Sequence, residues 1–423
     1  MKELKNLFLA MLAVATLISF SACDSDDDDD DPDPVVSGDT TVVIVNSSIT
    51  ENTTWQTGKV YQLATRVIVE SGATLDIQPG VIVKGEAGQG VNSTVLLVAR
   101  GATINAMGTA SAPIIFTSIA DEITPEQVAA GDFQSPNLSP TQAGFWGGVI
   151  VLGSASISAY DTEVQIESIP EVDARGLYGG LDDDDNSGII SHISIRHSGV
   201  QIGPGNQING LTLGGVGSGT TIEMVEIVAN LDDGIEWYGG NVDLTGALVW
   251  NAGDDALDTD QDWIGTCSNF IVVTPVGGSA FELDGPEGSI NRGNHTFTNG
   301  LVYAGELGEE LIDMDSATNA ILESVYFYGL VTPLEVEYGT EYVGTIRNIE
   351  YTFPATWDHD GDGDEENPTP EVPFPSAAEI FTDVPASELT EVAENANTVG
   401  PTSDAGFEWT WAGQSGILGA IGL

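Results

Sequence analysis

Hydrophobic residues form short runs along the chain from Val42 onward, and glycine, asparagine and aspartate separate these runs. Most runs contain three to six residues, and few segments between them show the 3.6-residue periodicity of an amphipathic helix. Representative runs are residues 67–69, 81–83, 95–98, 114–116, 149–152, 193–195, 211–213 and 248–250. Short strands with turn residues at frequent intervals predict an all-β protein, either a β-sandwich or a β-helix.

An internal repeat decides between these two architectures. The acids Glu236, Asp258, Glu282 and Asp313 occupy equivalent positions in four successive copies, at spacings of 22, 24 and 31 residues. Repeats of roughly 20–50 residues are typical of solenoids. In each copy an apolar residue precedes the acid, and period-two alternation directs the apolar residue inward and the acid outward. These apolar residues are Ile235, Leu257, Phe281 and Ile312. The repeat predicts a right-handed parallel β-helix with an outward column of carboxylates.

The flanking sequences predict the remaining organisation. The β-helix is expected over residues 41–353, and residues 53–85 contain its first coil. Residues 354–423 are interpreted as an acidic, proline-rich loop followed by a C-terminal cap, in which the aromatic segment 407–411 seals the last coil. Solenoids need such caps because their end coils would otherwise expose the core.

Residues 1–22 have the organisation of a secretory signal peptide, with a basic start, an apolar stretch and small residues before Cys23. The apolar stretch is too short to span a bilayer. The ending Phe-Ser-Ala-Cys resembles a lipobox, which implies that Cys23 carries lipid and begins the mature protein. An ordinary signal peptide with a coincidental cysteine is the alternative.

Residues 23–40 are predicted to be a solvated tether, because the aspartate run at 26–31 repels itself and cannot fold. A plain spacer is one interpretation. The other is that an acidic run after a lipidated cysteine resembles the surface-export signal of Bacteroidota lipoproteins. This resemblance implies a protein that is anchored to the outer membrane and exposed at the cell surface.

The charge balance restricts the possible partners. The chain has 10 lysines and arginines against 65 acids, a formal net charge of −55. Nucleic acid is excluded as a partner, because its backbone requires clustered basic residues. The charge also disfavours anionic lipids and polyuronates unless divalent cations bridge the two. With Cys23 lipidated, Cys267 has no disulfide partner, and its apolar neighbours predict that it is buried.

Several stretches between residues 49 and 353 resemble a widespread family of exported β-helix proteins of Bacteroidota. They are residues 68–85, 113–117, 144–149, 175–180, 195–199, 205–221, 232–234 and 253–255. The resemblance implies a parallel β-helix that is exported and often attached to the cell surface. It implies no particular biochemical activity.

The carboxylate column predicts a cation site. If the coils stack in register, Glu236, Asp258, Glu282 and Asp313 lie about 4.8 Å apart. Such a column is tolerable when it is solvated, partly protonated or bridged by cations. Further aspartates crowd this region, and a dense group of hard oxygen ligands suits Ca²⁺. The sequence therefore predicts calcium here, and a solvated acidic flank is the alternative.

A second calcium site is predicted in the acidic loop near the C-terminus. Asp358, Asp360 and Asp362, with glycine at the sixth position, match the start of an EF-hand loop, and Asp364 follows. Position 12 is Thr369 instead of glutamate, so the full motif fails. The segment resembles the calcium loops of thrombospondin or dockerin modules, and a plain acidic linker is the alternative.

An enzymatic interpretation rests on Asp232, Asp254 and Asp255, which resemble two motifs of polygalacturonase-type hydrolases. Carboxylates on adjacent coils would then act as acid and base in inverting hydrolysis, across a gap of roughly 6.5–9.5 Å. The Gly-His-Gly and Arg-x-Lys motifs of that family are missing. A lyase would need a basic residue near the calcium, and only Arg292 and His295 are close in sequence.

The basic residues at 192–197 are interpreted as structural, and two aromatic residues are interpreted as candidates for ligand binding. The histidine and arginine side chains of residues 192–197 are expected to satisfy loop carboxylates around residues 182–185. Tyr238 and Trp263 are candidates for a glycan-facing surface, because aromatic rings stack on sugars. No serine hydrolase elbow, phosphate loop or CxxC motif is present.

The function predicted from the sequence is that of a non-catalytic, calcium-stabilised surface lipoprotein, an adhesin-like or glycan-binding β-helix. The expected ligand is a polysaccharide or a surface protein. The first alternative is a polysaccharide-active enzyme, a hydrolase or lyase that uses aspartate pairs on adjacent coils. The second alternative is an accessory subunit of an outer-membrane complex.

Overall fold

The computed structural model describes residues 41–423 apart from 89, 91, 92, 168, 202–206, 274–276, 289, 290, 306, 307, 316, 340–343, 358–371 and 405. Most elements are short strands. In the first part of the chain they are β1 (Val42–Val45), β2 (Thr53–Trp55), β3 (Val60–Leu63), β4 (Val67–Val69), β5 (Thr74–Ile77), β6 (Ile82–Gly85), β7 (Leu96–Val98), β8 (Thr103–Met107), β9 (Ile114–Ser118), β10 (Val149–Leu152), β11 (Val164–Gln165) and β12 (Leu177–Tyr178).

In the second part of the chain, long strands alternate with short ones. They are β13 (Gly188–Arg196), β14 (Leu211–Gly214), β15 (Thr221–Val228), β16 (Ile235–Tyr238), β17 (Leu244–Trp250), β18 (Leu257–Asp260), β19 (Thr266–Val273), β20 (Phe281–Leu283), β21 (His295–Tyr303), β22 (Asp313–Met314), β23 (Ala320–Tyr328), β24 (Thr345–Arg347), β25 (Ile349–Thr352), β26 (Thr356–Trp357), β27 (Val372–Pro373) and β28 (Leu389–Glu391). The α-helices are α1 (Pro125–Ala129), α2 (Ala377–Ile380), α3 (Trp411–Ser415) and α4 (Ile417–Ala420).

These strands build a right-handed parallel β-helix, so the predicted fold class is confirmed. Among the described residues, eight strands form sheet 1, in the order β22-β20-β18-β16-β14-β10-β7-β4. Sheet 2 contains sixteen strands, including β13, β15, β17, β19, β21 and β23. Each coil passes from sheet 1 to sheet 2, and the paired strands of both sheets are parallel.

A bend divides the long strands of sheet 2 into two halves. At the bend each coil places one residue in the left-handed region, which asparagine and glycine tolerate best. The non-glycine residues of this column have φ between 48° and 59°, and they are His192, Met224, Asn269, Asn299, Ser324 and Asn348. Since the register aligns them across successive coils, the bend recurs at the same place in these coils.

The interior of the solenoid is apolar, as the alternation in the repeat predicts. Ile235, Leu257, Phe281 and Ile312 are fully buried in one continuous core. Cys267 belongs to the same core and has no disulfide partner, so its predicted burial is confirmed. No helix in the described part of the chain is long and apolar enough to cross a membrane.

The C-terminal aromatic segment takes a different position from the one predicted. It does not seal the last coil: the ring of Trp411 packs against Trp250 and His197, and Trp409 packs against His192. The segment therefore lies along the side of sheet 2. Its aromatic residues cover an apolar face, instead of the open end of the solenoid. Near that end, Phe381 after α2 packs on Phe327, and β28 pairs with β25.

Candidate functional site: a buried acidic cluster

The four acids of the repeat stand in one column on the outer face of sheet 1. The register pairs Glu236 with Asp258, Asp258 with Glu282, and Glu282 with Asp313. Because the strands are parallel and adjacent, these side chains project from the same face of the sheet. The stacking inferred from the repeat spacing is therefore observed. Its proposed role as a metal site stays a prediction.

The column is far less exposed than a solvated acidic flank would be. Glu236 and Asp258 have exposed fractions of only 5% and 7%. An excursion of the chain between β10 and β13 contributes to this burial. Its Glu167 accepts a hydrogen bond of 2.8 Å from the Tyr238 hydroxyl, and its Tyr178 packs edge-on against the Tyr238 ring. Glu236 and Asp258 point away from the solenoid core but are nevertheless buried.

The turn before each sheet 1 strand adds more carboxylates to this cavity. The ligand oxygens of Asp233, Glu236 and Asp258 all lie within 4.8 Å of one another. A second group with the same spacing consists of Asp232, Asp233 and Asp254. Asp313 and Glu282 belong to neither group. The structure therefore concentrates the predicted column at its Glu236–Asp258 step and adds Asp233, which the metal prediction omitted.

The cavity has a volume of about 260 Å³ and is lined almost entirely by acids. Its lining residues are Glu167, Gln207, Asp232, Asp233, Glu236, Tyr238, Asp254, Asp258, Asp260, Glu282 and Asp284. No lysine, arginine or histidine is among the described residues that line it. Among the residues that the structure describes, no protein cation therefore neutralises this cavity.

The carboxyl groups that line this cavity have raised pKa values. Burial is the largest cause that raises the pKa of Asp232, Asp260, Glu282 and Asp284 to about 7 and that of Asp255 to about 8. Neighbouring carboxylates raise these pKa values further. Each group resists ionisation because its charge would lose water and face other negative charges.

The three converging carboxyls are the most strongly affected. Burial raises the pKa of Asp233, Glu236 and Asp258 well above the ordinary range, and the charge of Glu236 adds to the rise at the other two. Such groups titrate as a coupled set. A divalent cation among them would reverse these pKa shifts, because it favours the ionised form of every ligand.

Two buried oxygen atoms beside Glu236 have no hydrogen-bond partner within the described structure. Thr212 stands directly opposite Glu236 on β14, and its hydroxyl is unpaired. The amide nitrogen of Asn209 donates to Glu236, and the Oδ1 atom of Asn209 is unpaired. Both residues are at most 1% exposed. Because buried polar atoms are normally satisfied, these two oxygens indicate that the site accommodates a further group.

Sequence reasoning missed Asn209, Thr212 and Asp284, although the repeat spacing contains them. Asn209 and Thr212 precede Asp233 and Glu236 by the same 24 residues, and Asp284 follows Asp260 by 24. Extending the alignment by one coil toward the N-terminus would have found Asn209 and Thr212, and extending it by two residues within the coil of Glu282 would have found Asp284.

The glycan-facing prediction is wrong for Trp263. Its ring is fully buried, it stacks on Trp237 at 4.7 Å, and its indole nitrogen donates to the Val242 carbonyl at 3.0 Å. The residue follows a tight left-handed turn that directs the ring into the core. Tyr238 lines the acidic cavity with only 7% of its surface exposed, so its contact with a glycan stays a prediction.

The geometry also bears on the enzymatic candidates. Asp232 and Asp254 approach within 4.8 Å, which is shorter than the gap that inverting hydrolysis requires. The carboxylate of Asp255 accepts a hydrogen bond of 2.6 Å from the backbone of Ser279. An inverting arrangement of Asp232 and Asp254 therefore does not fit this cavity.

The basic residues Arg292, His295 and Arg196 make structural contacts. The Arg292 guanidinium donates to the Ser156 carbonyl at 2.6 Å and pairs with Asp183 at 3.0 Å, so it holds the excursion after β10. His295 is buried beside Trp263, and burial lowers its pKa to about 4. Neither residue lines the acidic cavity. The expected contacts of Arg196 with loop carboxylates at 182–185 are wrong, because Arg196 pairs with Glu226 at 3.6 Å.

The predicted calcium loop at Asp358, Asp360, Asp362 and Asp364 lies outside the described residues. The same is true of Cys23 and of the acidic tether. The structure does not test these assignments, and they stay predictions.

Comparison with known proteins places the fold in a family. Residues 47–348 match the pectate-lyase-like β-helix domain, a carbohydrate-related type of β-helix. Because this match covers most of the chain, the protein belongs to that family. Neither the curated proteins nor the solved structures contain a match to the chain.

Proposed function

We propose that the protein is a calcium-binding β-helix that binds polysaccharide at the cell surface without cleaving it. The observation that carries this proposal is the convergence of Asp233, Glu236 and Asp258 within 4.8 Å of one another, beside the unpaired oxygens of Asn209 and Thr212. Five hard oxygen donors from three coils suit Ca²⁺, which takes six to eight oxygen ligands.

The charge of the cavity connects this cation to the polysaccharide. Without a cation, an acidic polysaccharide would meet only negative charge in a protein of net charge −55. A bound Ca²⁺ that keeps open coordination positions would supply the missing attraction to a uronate carboxylate. The protein would then bind acidic polysaccharide only when calcium is present. Membership of a carbohydrate-related β-helix family supports this choice of ligand.

We expect the soluble ectodomain, which begins at Val35, to bind polygalacturonate in calcium and to release it in chelator. The measurement is affinity electrophoresis or calorimetry with acidic and neutral polysaccharides in parallel. Asp258→Asn should weaken binding at least tenfold, because it removes a ligand of the cation. Asp313→Asn is the matched control, because Asp313 lies at the end of the same column and outside both converging groups. Equal binding with and without calcium would contradict the proposal.

A second candidate function has a specific observation in its favour. The pKa of Asp232 is raised to about 7 and that of Asp255 to about 8, which are suitable values for a general acid. The same polysaccharide panel tests it by the release of reducing ends. Release that disappears in Asp232→Asn or in Asp255→Asn would establish catalysis and overturn the non-catalytic part of the proposal.

Display at the cell surface depends on the N-terminus. We expect wild-type cells to incorporate labelled fatty acid into the protein, and Cys23→Ala to abolish this incorporation because the acceptor thiol is lost. The wild-type chain should fractionate with the outer membrane and be accessible to added protease. Acylation that persists in Cys23→Ala would show that Cys23 is not the lipidated residue.

A further inference from the structure

A second cavity lies on sheet 2, outside the acidic cluster. It is a groove of about 790 Å³ across the outer surface of β5, β8, β13 and β15, in the size range of ligand sites. Four adjacent parallel strands span roughly 14 Å, so the groove suits an extended ligand. Its floor is apolar: Met107 and Ile189 are 48% and 37% exposed and are among the most exposed large apolar side chains of the β-helix strands.

Hydrogen-bond acceptors stand at both ends of this floor. On β5, the carboxylate of Asp76 accepts a hydrogen bond of 2.8 Å from the Asn105 amide. On β15, the carboxylate of Glu223 accepts one of 2.9 Å from the Ser191 hydroxyl. Each carboxylate has further lone pairs. Both acids line the groove, and the described lining residues include no lysine or arginine.

His192 provides a third acceptor, and the two hydrogen bonds of the Ser191 hydroxyl identify which ring nitrogen it is. The single hydroxyl proton of Ser191 is donated to Glu223, so the Ser191 oxygen accepts from the Nδ1–H of His192 at 2.9 Å. This fixes the tautomer and leaves the Nε2 lone pair of His192 free. Burial lowers the pKa of His192, with Glu223 opposing, which favours the neutral ring. Trp409 packs against the imidazole at 5.4 Å and orients it.

The backbone supports a functional interpretation of His192. The residue has φ of 48° at the bend of sheet 2, where the aligned positions of the following coils are Met224, Gly246, Asn269, Asn299, Ser324 and Asn348. Asparagine, which occupies three of these positions, would satisfy the bend at residue 192 as well. The histidine therefore supplies an imidazole at a place where the fold does not require one.

We propose that this groove is a second carbohydrate site, which takes an oligosaccharide that carries free, protonated amino groups. Three acceptors without a basic residue require a ligand rich in donors, and an ammonium group adds charge-assisted hydrogen bonds to Asp76 and Glu223. The apolar floor of Met107 and Ile189 matches the C–H face of a sugar ring. The net charge of −55 attracts a cationic chain and repels an anionic one.

The test is calorimetric titration of the calcium-saturated ectodomain with a glucosamine oligosaccharide and with its N-acetylated counterpart of equal length. We expect binding of the deacetylated probe and at least tenfold weaker binding of the acetylated one. Glu223→Gln and Asp76→Asn should each weaken binding of the deacetylated probe at least tenfold. His192→Asn should do the same while the protein keeps its melting temperature, because asparagine fits the bend.

Two control variants make the result decisive. Glu323→Gln lies in the same column of sheet 2 as Glu223 but outside the groove, and it should bind the probe like the wild type. Asp258→Asn, in the acidic cluster, should also bind it unchanged. Loss of binding in Asp258→Asn, retained binding in the three groove variants, or equal binding of the acetylated probe would each overturn the proposal.

Discussion

Removal of calcium at pH 8 is expected to lower the melting temperature of the ectodomain by several degrees. A ligand at about 1,000 times its dissociation constant stabilises the folded state by roughly 4 kcal/mol. Asp233, Glu236 and Asp258 gain most from the cation, because their charges are buried and uncompensated without it. Differential scanning calorimetry in calcium and in chelator measures the effect.

The pH dependence of the calcium-free protein follows from the direction of the pKa changes. In the unfolded chain these carboxyls have pKa values near 4. In the folded protein the pKa values are about 7 for Asp232 and Glu282 and about 8 for Asp255, so the folded state holds more protons between these limits. The stability that protonation contributes is complete below pH 4 and is lost as the pH rises to about 8.

The melting temperature in chelator should therefore fall between about pH 5 and pH 8, and calcium should reduce this fall. An ionised carboxyl whose pKa is raised from about 4 to about 7 costs roughly 4 kcal/mol of folding free energy. Asp258→Asn should remove most of the calcium effect and raise the melting temperature in chelator, since it deletes a repulsive charge. Asp313→Asn should keep the calcium response, because its oxygens lie outside the converging groups.

A melting temperature that is independent of calcium at pH 8 would contradict the cation site. If the fall with pH persisted in that case, the carboxyls would be protonated acids without a metal. Such a protein would bind protons where we propose calcium. The second candidate function would then gain support, because protonated carboxyls near neutral pH can act as general acids.

Glu226→Ala is expected to destabilise the protein by about 3–5 kcal/mol, because it leaves the Arg196 charge buried and unpaired. Both side chains are fully buried and lie 3.6 Å apart. Arg196 also donates to Ser194 at 2.7 Å and packs over the Trp411 ring at 5.0 Å. The other oxygen of Glu226 accepts from the backbone of Ala412 at 2.9 Å.

The same substitution should release the C-terminal segment from the side of sheet 2. Guanidinium unfolding measures the free energy, and limited proteolysis measures cleavage within residues 406–423. Glu323→Ala is the control, because its pair with Arg347 is an exposed one in the same sheet. An exposed pair contributes at most about 1 kcal/mol. Equal stability of the two variants would show that the buried pair does not hold this segment.

The comparison of Glu226 with Glu323 shows what sequence patterns can miss. Both are acids in long strands of sheet 2, and nothing in their local sequence predicts opposite environments. Glu226 is buried because the C-terminal segment, nearly 190 residues away in sequence, folds back over it. The sequence pattern predicts that segment at the end of the solenoid. Its true place depends on an apolar lateral face that includes Val228, Leu248 and Ile271 and that exists only after the coils have stacked.

The solenoid and the register of its acidic column could both be predicted from sequence patterns. Both follow from local rules: alternation fixes which side chains point inward, and a repeat of nearly constant length aligns equivalent residues on successive coils. The alignment of Glu236, Asp258, Glu282 and Asp313 therefore needed no knowledge of distant contacts.

The surroundings of these residues depend on contacts between remote parts of the chain. The excursion that contains Glu167 and Tyr178 packs beside Glu236 and Asp258, and these two acids of the outward column are buried. The burial of Trp263 and the groove beside His192 likewise depend on neighbours that are remote in the chain. Alternation specifies the side of a strand on which a residue projects. What lies on that side is set by loops and terminal segments, whose packing follows no repeat.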